Sequence, residues 1–220
     1  MRNLLCIIIS WNRPEFLRRT LESLFLQIED IQAQIIVVDN GSDSKTREVI
    51  EREERVRVRI FLGSNLGINR ALESALPDDV AQEFQHILIS DADMDYRRPL
   101  GPMLRAFEDH PEIGAISLQH SPEHPAVGEM TFNDEHWPLK RIERGCSLLF
   151  QTARFQELRP LPVHKMLDFD WWVMRDAPQS LQAKNQFVAV CPGAAIHLGW
   201  RAGDSTWQTQ ETPEFDEFRA

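Results

Sequence analysis

Carboxylates gathered at the end of an apolar run are the first residues in this chain whose spacing suits chemistry. Ile87-Leu88-Ile89-Ser90 leads into Asp91-Ala92-Asp93-Met94-Asp95, so acidic side chains recur at alternate positions. A short apolar run bounded by polar residues reads as a buried strand. In an open α/β sheet, ligands sit beyond the carboxyl ends of the strands, where such carboxylates would hold a divalent cation. Two side chains do not fill an octahedral shell, which leaves room for water or for the oxygens of a phosphate or diphosphate. We assign Asp91 and Asp93 to that metal and diphosphate site, and Asp95 to a structural role in the turn. A calcium loop does not fit, because Tyr96 stands where the sharp turn demands Gly and Pro102 where a bidentate Glu belongs. On this segment alone, Asp91 as a phosphatase-type nucleophile stays open.

Such a site needs strands that end together, and the chain supplies them at regular spacing. Leu4 to Ser10 is a continuous apolar run, as in a strand covered on both faces of a parallel sheet. Trp11-Asn12-Arg13-Pro14 breaks it, and Pro14 opens a helix whose apolar stripe is Phe16, Leu17, Thr20, Leu21, Leu24 and Phe25. The unit repeats with a strand at Ile35 to Val38, a turn at Asp39-Asn40-Gly41-Ser42-Asp43 and a polar helix from about Ser44. Val56 to Leu62 is a third strand, followed by Gly63-Ser64-Asn65-Leu66-Gly67 and a helix from Ile68 to Leu76. Gln85 to Ser90 is the fourth strand, a helix follows Pro99, and Ile113 to Leu118 is the fifth. Alternation at this spacing predicts βαβ units and a mainly parallel sheet flanked by helices, a Rossmann-like α/β layer.

The second half reads differently. Gln119 to Ile142, with Pro122, Pro125 and Pro138, is expected to be a long loop, either mobile or functional. Cys146 to Phe150 is a strand, Thr152 to Leu158 a short helix and Asp168 to Leu181 a longer one. Phe187 to Val190 and Ala194 to Leu198 are two further strands. The expected organisation is a single domain over residues 1–200 and a tail or lid over 201–220.

Composition bounds the class. With 220 residues, 42% hydrophobic and 26% charged, the chain can bury a core like any ordinary globular domain. A net charge of −10 without a long basic run argues against nucleic-acid or membrane-surface partners. Cys6, Cys146 and Cys191 lack Cys-x-x-Cys spacing and sit in strand-like contexts, so they read as buried thiols in a reducing, cytoplasmic compartment. The apolar start is too short for a membrane span.

Taken together and in order, five local patterns resemble family 2 glycosyltransferases of the GT-A fold. Ile7-Ile8-Ile9-Ser10-Trp11-Asn12-Arg13-Pro14 looks like that family's first strand and nucleotide loop, and Ile36-Val37-Val38-Asp39-Asn40-Gly41-Ser42 like its second. Asn65-Leu66-Gly67 with Asn69-Arg70 is similar to the segment beside the donor diphosphate, and Ser90-Asp91-Ala92-Asp93 to the Asp-x-Asp motif. Gly145 to Phe150, then Leu167-Asp168-Phe169-Asp170-Trp171, looks like the acceptor-side Gly segment and the acidic catalytic motif. The likeness runs from about Asn3 to Trp200.

That resemblance implies a nucleotide-diphosphate sugar donor and a hydroxyl-bearing acceptor, joined by inverting transfer. It places Ser10, Asn12, Arg13, Asp39, Asn65, Gly67, Arg70, Asp91 and Ala92 on the donor, and Asp91, Asp93 and His197 on the metal. An imidazole beside carboxylates suits Mn²⁺ better than Mg²⁺. Asp168 becomes the general base with Asp170 as neighbour or substitute; the plain alternative is a helix N-cap and a dipole partner. Leu167 replaces the acidic residue that often precedes the base, so the assignment can move by two residues. Gly145, Trp171 and Trp172 fall on the acceptor side, where one of the adjacent Trp rings would be core and the other a platform for a sugar ring. Two other classes remain open on the residues alone, a metal-dependent phosphohydrolase or nucleotidyltransferase and a non-catalytic nucleotide-sugar-binding domain. A dinucleotide oxidoreductase does not fit, since no Gly-x-Gly-x-x-Gly follows the first strand.

Overall fold

A computed structural model describes residues 3–77, 82–120, 124–143, 145–161, 181, 183–184 and 186–198. The helix expected over Asp168 to Leu181, apart from Leu181, and the tail from residue 201 lie outside the described residues. Eleven described strands and five described helices follow in chain order: β1 Asn3–Ser10, α1 Pro14–Gln27, β2 Gln32–Asp39, α2 Ser44–Arg52, β3 Val58–Phe61, α3 Ile68–Ala75, β4 His86–Asp91, β5 Met94–Tyr96, α4 Leu100–Asp109, β6 Ile113–Ser117, β7 Ala126–Phe132, β8 Glu135–Lys140, β9 Ser147–Gln151, α5 Thr152–Glu157, β10 Phe187–Val190 and β11 Ala195–His197. None of the described helices is long and apolar enough to cross a membrane.

Nine strands form one sheet in the order β3-β2-β1-β4-β9-β6-β10-β8-β7. β3, β2, β1 and β4 are parallel, as the alternation of strand and helix requires. β9 then runs antiparallel between β4 and β6, so the sheet is mixed beyond β4. Every side chain of β1 from Leu4 to Ser10 is buried because the strand is paired on both edges and covered on both faces. Alternate residues part company there. Leu4, Cys6 and Ile8 face Leu17, Leu21 and Leu24 of α1 and Met103, Leu104 and Phe107 of α4. Leu5, Ile7 and Ile9 face Ala71, Leu72 and Ala75 of α3 together with Phe155 of α5. Each fully buried Leu or Ile contributes about 1.5–3 kcal/mol, so the two apolar faces fix where every strand ends.

The segment expected as a long loop is instead mostly a hairpin. β7 and β8 pair antiparallel across Asn133-Asp134, both left-handed with φ of 50° and 63°. That is the geometry of a two-residue primed turn, whose twist matches the strands it joins. Pro138 had argued against a strand, yet β8 pairs with β10 only at Leu139 and Lys140, beyond the proline.

β5 and β11 form a separate two-stranded ribbon at the carboxyl end of β4. α1 closes the ribbon's other edge with hydroxyls: Met94 N–H donates to Thr20 Oγ1 and Tyr96 N–H to Ser23 Oγ, both at 3.0 Å. These two residues explain why the apolar stripe of α1 is interrupted by buried polar groups. Thr20→Val keeps the shape and orphans the Met94 N–H, so we expect a loss of about 1–3 kcal/mol in urea denaturation. A change below about 0.5 kcal/mol contradicts this role for the hydroxyl.

Candidate metal centre

Two strands and the turn that enters a third bring three unlike donors together. β4 and β9 pair Ser90 with Ser147, and one residue farther Asp91 N–H donates to the Cys146 carbonyl at 2.9 Å. Register alone therefore sets Asp91 beside Cys146. β11 lies across β5 with His197 opposite Met94, and Leu198 N–H donates to the Asp93 carbonyl at 2.7 Å. One ligand atom each from Asp91, Cys146 and His197 lies within 4.8 Å of the others. Donors bonded at about 2.0–2.3 Å to one shared ion have that spacing. Cys146 was not singled out from sequence, because its relation to Asp91 is visible only through the pairing of strands more than fifty positions apart.

Asp93 stands next to this group and is 7% exposed. Its Oδ2 accepts from Arg13 Nη1 at 2.9 Å. Its Oδ1 lies 3.3 Å from His197 Nε2, unaligned for a hydrogen bond, and among the described residues accepts none. A buried carboxylate oxygen left so costs about 1–3 kcal/mol or more, and a cation at the His197 side would satisfy it. Ser10 Oγ, fully buried at the end of β1, is the second orphan at these strand ends. Ala92, 9% exposed, spaces the two aspartates. The residues present thus fit a divalent ion held by Asp91 and His197 with Asp93 alongside.

The loops after β1, β2 and β3 are tied to one another. Asn12 and Arg13 are both left-handed, with φ of 58° and 62°, a conformation that stores about 1–3 kcal/mol per non-Gly residue. It is held by Asn12 N–H donating to Ser42 Oγ at 2.9 Å and Asp43 N–H donating to Asn12 Oδ1 at 3.0 Å. Asp39 has no exposed surface. Its Oδ1 accepts from Ser42 N–H and its Oδ2 from Arg47 Nε, each at 2.9 Å, so this carboxylate shapes the turn. Asn40 bridges to the third loop, donating to Asn65 Oδ1 and accepting from Leu66 N–H, both at 2.9 Å. Gly41 must be glycine: at φ +81° an added Cβ would lie 2.4 Å from the Ser64 carbonyl carbon. Gly67 caps α3 at φ 84°, and Arg70 is exposed one turn farther on.

Tyr96 connects the ribbon to the donors. Its hydroxyl donates to Ser90 Oγ at 2.6 Å, and Ser90 Oγ donates onward to the Asp91 carbonyl at 2.9 Å. Ser147 Oγ, 3.1 Å from the same phenol, is left as donor to it. Burial pushes the Tyr96 pKa far up, outweighing both serine bonds, so the phenol stays protonated and able to donate. Asp95 is 4% exposed and ion-paired with Arg19 at 3.0 Å and with Arg97, in keeping with the structural role expected of it. Gly145, expected on the acceptor side, is buried in the turn before β9. Asp168, Asp170, Trp171 and Trp172 lie outside the described residues.

The sequence profile described as glycosyl transferase family 2 matches residues 5–154, more than half of the chain. The chain belongs to glycosyl transferase family 2. A poly-β-1,6-N-acetyl-D-glucosamine synthase of Staphylococcus epidermidis is 27% identical over 114 residues, covering 50% of this chain and 27% of that protein. The fold is that of GT-A glycosyltransferases. A mannosyltransferase of Pyrobaculum calidifontis, solved with GDP-Man and Mn²⁺, superposes with a TM-score of 0.59 at 15% identity over 86% of this chain and 56% of that one. GalNAc-T7, solved with UDP, GalNAc and Mn²⁺, gives 0.63 at 12% identity over 89% of this chain and 44% of that one. This family 2 chain thus spans about a quarter of its curated relative and about half of the solved chains.

Because Tyr96 links Ser90 to Ser147, Tyr96→Phe should cost about 1–3 kcal/mol in thermal or urea unfolding and weaken divalent-ion binding with it. Unchanged stability and unchanged ion affinity together would show that strand pairing alone places the donors.

Proposed function

We propose that this chain is a metal-dependent glycosyltransferase that moves a sugar, with inversion, from a nucleotide-diphosphate donor to a hydroxyl acceptor on a glycan, lipid-linked glycan or other polysaccharide precursor. The observation that carries it is the convergence of Asp91 and His197 beside the orphaned Asp93 Oδ1, at the carboxyl ends of parallel strands in a family 2 chain. Mn²⁺ suits this donor set better than Mg²⁺, since imidazole is a poor ligand for the harder ion. When bound, the ion supplies positive charge against the diphosphate as it departs.

The chain's own residues carry the remaining work. Ser10, Asn12 and Arg13 line the first nucleotide loop, and Asp39 holds the second in shape through Ser42 and Arg47. Asn65 and Gly67 present the third loop. Arg70 offers the diphosphate a planar set of guanidinium donors. Ala92 keeps the Asp-x-Asp turn narrow enough for Asp91 and Asp93 to flank one ligand. Gly145 leaves room for the acceptor, with Trp171 or Trp172 as an apolar platform for its sugar ring. Asp168, with Asp170 as neighbour or substitute, accepts the acceptor's proton as the new bond forms, a contribution of about 10²–10⁴-fold.

Titration calorimetry with a panel of nucleotide sugars tests this reading. Binding should need Mn²⁺ in the wild type, and Asp93→Ala should abolish the metal-dependent part. Asp168→Asn should bind donor as before and lose transfer by about 10²-fold or more. Metal-independent donor binding rejects the metal centre, and wild-type transfer by the Asp168 variant rejects that residue as base.

A further inference from the structure

We propose that Cys146 Sγ is itself a ligand to the divalent ion, making this an Asp-His-Cys centre that favours thiophilic cations. This inference rests on the reading of the site given above and says which ions it selects. The donor atoms of Asp91, Cys146 and His197 lie within 4.8 Å of one another, close enough to share one ion. A second observation points to the same place: Asp93 Oδ1, with its side chain 10% exposed, is orphaned 3.3 Å from His197 Nε2. The main chain that carries the sulfur is held against β4 where the turn enters β9, since the Cys146 carbonyl accepts from Asp91 N–H and Ser147 is paired with Ser90.

Charge balance favours the same arrangement. Arg13 neutralises Asp93. The Asp91 carboxylate and a Cys146 thiolate then match the two positive charges of the ion, with His197 as the neutral ligand. Carboxylate and carbonyl donors suit Mg²⁺ and Mn²⁺, whereas a thiolate shifts preference to Zn²⁺, Co²⁺ and Cd²⁺. The other two thiols do not compete. Cys6 and Cys191 are fully buried, and burial raises both pKa values, that of Cys191 to about 12, while Cys146 is half-buried.

Cobalt titration of the whole chain reads the ligand directly. The wild type should develop a thiolate-to-cobalt charge-transfer band in the near ultraviolet, and Cys146→Ser should lose it. The same substitution should lower the Cd²⁺-over-Mn²⁺ affinity ratio by about tenfold or more, a scale reached even by outer-shell changes at metal sites. A measurement on the wild type covers the case in which the variant does not fold: saturating Zn²⁺ should protect Cys146 from iodoacetamide, followed by peptide mass spectrometry. Cobalt binding without the band, or alkylation of Cys146 at an unchanged rate under Zn²⁺, overturns the thiolate ligand. If that happens while Mn²⁺-dependent donor binding persists in the wild type, the glycosyltransferase reading stands and only the sulfur is removed. If the wild type shows no ion-dependent donor binding at all, that reading falls as well.

Discussion

The ribbon of β5 and β11, clamped against α1 by two hydroxyls, is the interaction on which the rest of the site depends. β4 could deliver Asp91 without it, since the strand is fixed by its neighbours in the sheet. Asp93 and His197 are brought together because β11 lies across β5 and the Leu198 amide reaches the Asp93 carbonyl. A three-residue ribbon is too short to stand alone. It persists because Thr20 and Ser23 satisfy the amides on its open edge and because Tyr96 roots it in the sheet through Ser90 and Ser147.

From that clamp the electrostatics follow. Acidic groups crowd this end of the sheet, and each is answered differently: Asp39 by Arg47, Asp95 by Arg19 and Arg97, Asp93 by Arg13 on one oxygen only. Asp39 has partners on both oxygens and Asp95 takes both arginines on Oδ2, whereas Oδ1 of Asp93 faces His197 without a hydrogen bond. The loops around it are joined by side-chain amides of Asn12, Asn40 and Asn65, which hold left-handed and glycine-dependent turns in place before any donor arrives. Preorganisation of this kind lowers the ordering cost that a ligand must otherwise meet.

The parallel half of the sheet was legible because β1, β2 and β4 carry continuous apolar runs, the segment entering β3 alternates Val with Arg, and helices stand between them. Asp91 and Asp93 could be nominated from their own neighbours in sequence, and His197 through the family resemblance. Three things were hidden for physical reasons. The β7–β8 hairpin carries side chains exposed along most of β7 and a proline in β8, so it lacks the apolar signature of a strand; the Asn133-Asp134 turn was the one local sign of it. Cys146 looked like a core thiol, since its partnership with Asp91 comes from antiparallel register between β4 and β9 and leaves no spacing motif. β5 is three residues long and exists through its partners, which no local pattern announces.

The central claim is that the carboxyl end of β4 holds a divalent ion against the diphosphate of the donor. Anomalous diffraction from crystals grown with Mn²⁺ and a nucleoside diphosphate addresses it most directly. The account predicts a manganese peak at bonding distance from Asp91 and His197, with diphosphate oxygens completing its shell. A diphosphate bound elsewhere, or bound at these strand ends with no ion between it and Asp91, would contradict it.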